Sequence, residues 1–265
     1  MTRFSIVPPM RAASVPLIGV RYWTAISLAS IAGCNLGDFV SLYLHLGHWR
    51  GLFPIVLVLG LLLFAERRSG RASEGWYWAV IIVIRTAATN LADLATNTFN
   101  IEFSWVIAVL ELLQVLVVLP LAPRQVPAGA VCAGIPVADG WYWASMLTAG
   151  TLGTAIGDCV AEEFKLGTGP GTLVLSAIAA IVLVIGSRLR WSKASYWFAI
   201  IAVRAAGTTA GDYLAFHDGL GLGLALSTAC TTAVFVATLL LWRRPTPGTT
   251  DTSATQHRIG LTEAE

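Results

Sequence analysis

Four segments of the chain share one pattern, and this repetition constrains the fold more than any other feature of the sequence. Each segment begins with Tyr-Trp and ends with an Asp fifteen residues after the Trp, and the four align without a gap. They are YWTAISLASIAGCNLGD (22–38), YWAVIIVIRTAATNLAD (77–93), YWASMLTAGTLGTAIGD (142–158) and YWFAIIAVRAAGTTAGD (196–212). Self-similarity of this kind predicts a chain built from tandem structural repeats.

The composition places these repeats in a membrane. Hydrophobic residues make up 56% of the 265 residues and charged residues 12%, and the mean hydropathy is +0.71, well above that of soluble domains. Eight apolar segments are long enough to cross a bilayer, near 22–46, 51–66, 75–98, 101–121, 140–165, 171–187, 195–217 and 220–242. They lack the two-residue alternation of barrel strands. We therefore predict an all-α, polytopic bundle of eight transmembrane helices.

Each repeat is predicted to be a hairpin of two helices joined by a short outer turn. Because every unit holds an even number of helices, all four enter the membrane the same way up and are related by an axis along its normal. The arrangement is then pseudo-four-fold or pseudo-two-fold. The predicted boundaries are 1–21 for an N-terminal tail, 22–72, 73–137 (with a following loop), 138–192 and 193–243 for the repeats, and 244–265 for a disordered tail.

The basic residues predict the orientation. One set of loops carries Arg3, Arg11, Arg21, Arg67, Arg68, Arg71, Arg124, Arg188, Arg190, Lys193, Arg243 and Arg244, whereas the other carries little beyond Arg50 and Lys165. Cytoplasmic loops are enriched in Lys and Arg. Both termini are therefore expected in the cytoplasm, which an even number of helices also requires.

The repeat also predicts that its four Asp residues lie together. At about 1.5 Å per helical residue, each Asp lies roughly 22 Å from its Trp. With the Tyr-Trp pairs as anchors in the inner aromatic belt, the four carboxylates share one depth in the outer third of the membrane: Asp38, Asp93, Asp158 and Asp212. Intramembrane carboxylates are costly and mark ion or proton sites, and clustered ones share protons. The alternative is that they cap packing contacts or touch headgroup water.

The helix face that carries each Asp is also polar. Positions three and four residues before the Asp hold Cys34, Asn35, Thr89, Asn90, Thr154, Thr208 and Thr209, which we expect to support the site because they lie on or near the Asp face. Gly pairs such as Gly153 and Gly157 allow close helix packing. Arg85 and Arg204 each lie eight residues before an Asp; they either tune its charge or extend to the membrane interface.

The outer turns carry a further set of ionisable residues: His45, His48, Glu162, Glu163 and His217. A His-x-x-His pair beside carboxylates is a possible metal-binding mouth, although solvated loops often contain such residues. The sequence does not identify which metal such a site would bind.

The Tyr-Trp starts, the LGTAIGD segment (152–158) and the LG turns resemble a family of bacterial inner-membrane proteins built from four tandem two-helix repeats with a marked tryptophan. The resemblance covers about residues 20–243. It implies an integral protein of the bacterial inner membrane, and it implies no activity, because the family is uncharacterised.

The sequence therefore predicts a transporter or channel-like protein for a small cation, either a divalent metal or a monovalent ion with proton exchange. The alternative is a membrane scaffold or sensor whose Asp and Arg side chains are structural. No phosphate loop, catalytic triad or HExxH motif occurs, so we expect no enzyme activity and no cofactor. The net charge of +2 argues against a nucleic-acid partner. The expected partners are the lipid bilayer and a small cation or proton.

Overall fold

A computed structural model describes residues 15–16, 18–69, 74–119, 138–189 and 191–242. Within these ranges the chain forms eight α-helices and no strand, so the all-α prediction is confirmed. They are α1 (Val20–Asp38), α2 (Gly47–Ser69), α3 (Glu74–Asp93), α4 (Phe103–Val118), α5 (Gly140–Asp158), α6 (Thr168–Leu189), α7 (Lys193–Ala215) and α8 (Leu224–Leu241). π-helical segments extend α1, α3 and α5 through Phe39–Tyr43, Leu94–Thr98 and Cys159–Glu163.

Several predictions concern residues outside these ranges. Most of the predicted N-terminal tail and the whole predicted C-terminal tail lie there. So do seven of the basic residues used for orientation: Arg3, Arg11, Arg71, Arg124, Arg190, Arg243 and Arg244.

Five helices of the described chain are long and apolar enough to cross a membrane. They are α1, α2, α3, α6 and α8. The spans of α1 and α3 include their π-helical extensions. α4 is apolar but has only 16 residues. Gly and Thr residues lower the mean hydropathy of α5 and α7, and α7 also contains Lys193, Arg204 and Asp212. These five helices are consistent with a membrane protein.

The helices pack in two concentric layers. The Asp-bearing helices contact one another in a closed cycle, α1 with α3, α3 with α5, α5 with α7, and α7 with α1. We call these four helices the inner ring. The second helix of each repeat packs against the first helix of the next repeat: α2 on α3, α4 on α5, α6 on α7 and α8 on α1. The last repeat is thereby joined to the first.

Small residues allow the inner helices to approach closely. A Cβ atom on Gly207 of α7 would lie 2.3 Å from the Cβ of Ser30 in α1, and one on Gly37 of α1 would lie 2.9 Å from the Cβ of Thr89 in α3. Side chains larger than hydrogen do not fit at these points, and small residues serve the same purpose in packed membrane helices.

The exterior of the bundle is more apolar than that of a soluble domain. The outer helices expose large apolar side chains, among them Phe53, Leu61, Trp105, Leu112, Leu173, Ile181, Leu226 and Leu240. The inner ring buries polar groups that include Asn35, Arg85 and Arg204. An apolar exterior around an interior that also holds these polar groups is suited to lipid, where polar groups must be satisfied inside the bundle.

Candidate cation site

The four repeated Asp side chains line one cavity of about 250 Å³. Each stands at the last residue of an α-helical segment in α1, α3 and α5, and near the end of α7, so the closed cycle of the inner ring brings them to one end of the bundle. Asp38 and Asp93 are buried, whereas Asp158 and Asp212 are partly exposed to the cavity. The convergence that the repeat spacing predicts is therefore observed.

Residues one helical turn beyond each Asp form the next layer of the cavity wall. These are Leu42, Asn97, Glu162 and Phe216, each four positions after its Asp, and the remaining wall is formed by His48, Ala161, Gly167, Thr168 and Asp218. Asn97 and Thr168 were not predicted from the sequence, whereas Asp218 is one of the ionisable residues of the outer turns. Extension of the repeat alignment by four residues would have found Asn97, because it aligns with Glu162. Six carboxylates in all line the cavity.

The residues predicted for the outer mouth divide into two groups. His48 and Glu162 line the cavity, and the Nδ1 atom of His48 lies 3.7 Å from a carboxylate oxygen of Asp93. His45, Glu163 and His217 are exposed and are not part of the cavity wall. The two histidines of the His-x-x-His pair therefore have different surroundings. His48 lies in the first turn of α2, whereas His45 lies in the turn before that helix and has a positive φ of 55°.

Three potential metal ligands lie together at one side of the cavity, of which Asp38 and Asp212 line its wall and Cys34 is buried one helical turn before Asp38. A ligand atom from each of Cys34, Asp38 and Asp212 lies within 4.8 Å of the other two. The Cys34 Sγ atom is buried and lies 3.8 Å from Oδ1 of Asp212, to which it donates a weak hydrogen bond. α1 and α7 are neighbours in the inner ring, so this cluster bridges the first and last repeats.

Arg85 lies beneath the Asp layer and is held by threonine hydroxyls. Its Nη1 atom donates to Oγ1 of Thr89 at 2.8 Å and of Thr154 at 2.6 Å, and its Nη2 atom donates to Oγ1 of Thr208 at 2.7 Å. These three Thr residues occupy the position four before the Asp, where the first repeat has Cys34. Three predicted supporting residues therefore bind a guanidinium group.

Arg204 occupies the same repeat position as Arg85 but has different surroundings. Its side chain is fully buried, and none of its three nitrogens has a hydrogen-bond acceptor among the residues that the structure describes. An ion pair between either arginine and a repeated Asp is not found within the same ranges. A role of the two arginines in tuning the charge of the site stays a prediction.

The remaining predicted supporting residues join helices. Asn35 Nδ2 donates to Oγ of Ser227 in α8 at 2.5 Å, and Asn90 Nδ2 donates to the carbonyl oxygen of Gly37 in α1 at 3.2 Å. The Thr209 hydroxyl donates to the carbonyl of Ala206 within α7. These groups stabilise the bundle around the cavity and are not part of its wall.

At the opposite end of the inner ring, four tyrosine hydroxyls form a closed cycle of hydrogen bonds. The O–O distances are 3.0 Å between Tyr22 and Tyr77, 2.6 Å between Tyr77 and Tyr142, 2.9 Å between Tyr142 and Tyr196, and 2.6 Å between Tyr196 and Tyr22. All four side chains are buried. We call this cycle the tyrosine ring; it leaves no passage for a hydrated ion at this end of the bundle.

The repeated tryptophans surround the tyrosine ring. Trp23, Trp78, Trp143 and Trp197 are buried, and each indole contacts the tyrosine of the preceding repeat in the cycle, with centroid distances of 5.5–5.9 Å. The expectation that these tryptophans are interfacial anchors is wrong, because the outer helices and the neighbouring inner helices cover them. Their repetition reflects packing between repeats.

Part of the chain is similar to a known repeat family. Residues 141–191 and 195–246 each match the model of a family described as Repeat of Unknown Function (DUF347). The chain is similar to this repeat family over two copies. The first copy contains nearly all of α5 and α6, and the second contains all but the start of α7 and the whole of α8, so one inner and one outer helix make up the unit. No curated protein and no solved structure matches the chain.

Proposed function

We propose that this protein binds a small cation through Asp38, Asp93, Asp158 and Asp212 and moves it across a membrane. The observation that carries the proposal is the convergence of all four repeated carboxylates on one cavity. Grouping carboxylates inside a membrane protein is unfavourable unless they bind a cation, share protons or face water. Retention of Asp at this position in every repeat of the sequence supports a requirement for charge, since packing alone would be met by an apolar residue.

The shape of the bundle favours a carrier over a channel. The cavity gives access to the carboxylates from one end, while the Arg85–threonine cluster and the tyrosine ring occupy the axis towards the other end. A channel requires a continuous path, whereas a carrier exposes its site to one side at a time. In this proposal the structure corresponds to the state with the Asp cavity accessible and the tyrosine ring closed.

We place the protein in the bacterial inner membrane with all eight helices crossing and both termini in the cytoplasm. Among the described residues, Arg21, Arg68, Arg188 and Lys193 lie at the tyrosine end of the bundle, whereas Arg50 and Lys165 lie at the Asp end. The bias of basic residues towards the cytoplasm then directs the Asp cavity outwards. α5 and α7 cross although they are less apolar, because the outer helices cover much of their surface.

The test is the melting midpoint of the purified protein in detergent against Mn²⁺, Zn²⁺, Co²⁺, Mg²⁺, Na⁺ and K⁺. A ligand that binds the native state raises the midpoint in a concentration-dependent way. We expect a selective rise that is lost in Asp158→Asn and kept in Glu102→Gln. Glu102 is the matched control, because it is exposed near the same end of the molecule and is not part of the cavity wall. No rise with any of the cations would contradict the proposal.

A second candidate function is a scaffold or sensor. The tyrosine ring and the contacts of Arg85 with three helices favour it, because both join repeats without any ligand. A scaffold would respond to pH through its buried ionisable groups and show no selectivity among cations of equal charge. The same cation series, repeated at two pH values, separates the two functions.

A further inference from the structure

We infer that a borderline-soft divalent metal ion, of the class of Zn²⁺ and Co²⁺, binds at one side of the cavity. Its protein ligands are Asp38 and Asp212 of the cavity wall and the buried Cys34, one helical turn before Asp38. This inference rests on the proposed function that the cavity binds a cation. The inference adds three points to that function: the class of the cation, its position between α1 and α7 of the inner ring, and a sulfur atom among its ligands.

The geometry of the three side chains suits a metal of this class. Their ligand atoms lie within 4.8 Å of one another, and the Cys34 Sγ atom lies 3.8 Å from Oδ1 of Asp212. Zinc binds sulfur at about 2.3 Å and carboxylate oxygen at about 2.0–2.2 Å, so two ligand atoms on a tetrahedral ion are roughly 3.5 Å apart. The Sγ–Oδ1 distance of 3.8 Å is already close to this value, and we expect rotation of the two carboxylates to adjust the rest. Since Asp38 and Asp212 line the cavity, we expect the fourth position to face it, as at a site that exchanges its ion.

Cys34 differs from the threonines at the same position in the other three repeats in two ways: it carries a sulfur atom, and it makes different hydrogen bonds. Thr89, Thr154 and Thr208 hold the equivalent position and accept hydrogen bonds from Arg85. Cys34 does not take part in that cluster, and its sulfur lies towards Asp212. The chain thus has one soft ligand in an otherwise oxygen-rich ring, placed beside two carboxylates.

A second observation at the same place is the side-chain oxygen of Asn35. Asn35 is fully buried, and its Oδ1 atom has no hydrogen-bond donor among the described residues. A Cβ atom on Gly211 would lie 2.9 Å from this oxygen and 3.3 Å from the Cβ of Cys34. An unsatisfied buried oxygen is costly, and this one lies against the residue that precedes Asp212. A water bound to the ion is the donor that we expect for it.

The charges balance when the metal binds. The Cys34 thiol releases its proton to water in the cavity as the metal–sulfur bond forms, because the thiolate is the ligand. The thiolate and the two carboxylates then carry three negative charges, which the divalent ion and the Arg85 guanidinium neutralise. Thiolate ligands select Zn²⁺ and Co²⁺ over Mg²⁺ and Ca²⁺, which prefer oxygen.

Titration of the purified full-length protein with Co²⁺ tests the inference, since thiolate ligation produces a near-ultraviolet charge-transfer band that oxygen ligation does not. We expect the band in the wild type, its displacement by Zn²⁺ and no displacement by Mg²⁺. In Cys34→Thr the band disappears, and Zn²⁺ affinity falls by more than the roughly 10- to 100-fold that loss of an outer-shell partner costs. Cys159→Ser is the control, because Cys159 is a partly exposed thiol next to Asp158, and it keeps the band.

The variants separate misfolding from loss of the ligand. Thr is the residue of the other three repeats at this position, so Cys34→Thr without metal is expected to melt close to the wild type, and Cys34→Ser provides a second replacement. Co²⁺ binding without the band, or a band that persists in both variants, would overturn the inference and leave the proposed cation site standing. If no cation raises the melting midpoint, both the inference and the proposed function fail.

Discussion

Gly153 of α5 lies so close to Arg204 of α7 that a Cβ atom on the glycine would come within 2.4 Å of the arginine Cβ. Gly33 of α1 has the same relationship to Arg85 of α3, with 2.5 Å to its Cγ and 2.7 Å to its Cβ. The two large side chains of the inner ring therefore stand opposite glycines of the preceding repeat. The pair is reversed between repeats two and three. Repeat three has Gly150 at the arginine position, and repeat two has Ala88 at the glycine position. A Cβ on Gly150 would lie 2.8 Å from the Ala88 Cβ.

We predict that Gly153→Ala destabilises the protein, because the added methyl group would also lie 3.0 Å from the backbone nitrogen of Ala205, which cannot move freely. Overpacking of this kind costs about 1–3 kcal/mol. The measurement is the melting midpoint in detergent, with Gly60→Ala as the control. Gly60 lies within α2 and a Cβ there would meet nothing within 4 Å, so this variant is expected to match or exceed the wild type. Equal effects of the two variants would argue against close packing at Gly153.

The two arginines are predicted to respond differently to replacement by methionine. Arg204→Met removes a buried charge that has no acceptor among the described residues, and burial of an unpaired charge is costly, so this variant is expected to melt at or above the wild-type midpoint. Arg85→Met removes three hydrogen bonds and is expected to lower the midpoint. The comparison is direct because both residues hold one repeat position. A larger loss for Arg204→Met would show that Arg204 has a partner outside the described part of the chain.

Loss of one hydroxyl is predicted to weaken the tyrosine ring. Tyr142→Phe removes the hydrogen bonds to Tyr77 and Tyr196, each of which contributes about 0.5–1.5 kcal/mol. Tyr43→Phe is the control, because Tyr43 is exposed. If the ring also closes the transport path, vesicles containing Tyr142→Phe will leak cations faster than vesicles containing the control. An unchanged midpoint would show that the ring contributes little to stability.

Asp158→Asn is predicted to reduce cation uptake into vesicles by a larger factor than it reduces the yield of folded protein. The amide keeps the size of the side chain and removes the charge that the proposed site requires. Uptake and the monodisperse yield after purification are measured together, with Glu102→Gln as the reference. A parallel loss of uptake and yield would point to a structural role for the carboxylate.

The sequence was sufficient to predict the features that follow from periodicity. The spacing from Trp to Asp predicts both the helical repeat and the meeting of Asp38, Asp93, Asp158 and Asp212, because equal spacing on equivalent helices gives equal depth. It also predicts the glycine contacts between helices. Cation binding by these residues stays a prediction.

Contacts between repeats could not be predicted in the same way. Nothing in the spacing shows that α2 packs on α3, that Arg85 binds three threonines, or that the tyrosines meet on the axis, since these depend on the rotation of each helix about its own axis. The tryptophans were misassigned for this reason: a Trp at a helix end suits either an interface or an interior, and the choice depends on which helix covers it.

The packing of α8 on α1 has a consequence for how the protein is made. Each of α3, α5 and α7 follows its outer helix in the chain, so its cover is already synthesised when it enters the membrane. Among the described helices, α1 is the first to be made, and its cover, α8, is the last. Until α8 is inserted, the hydrogen bond from Asn35 of α1 to Ser227 of α8 cannot form, and the polar face of α1 is presented to lipid. Quality-control proteases that recognise polar groups within the bilayer would therefore be able to distinguish a chain that includes α8 from one that ends before it.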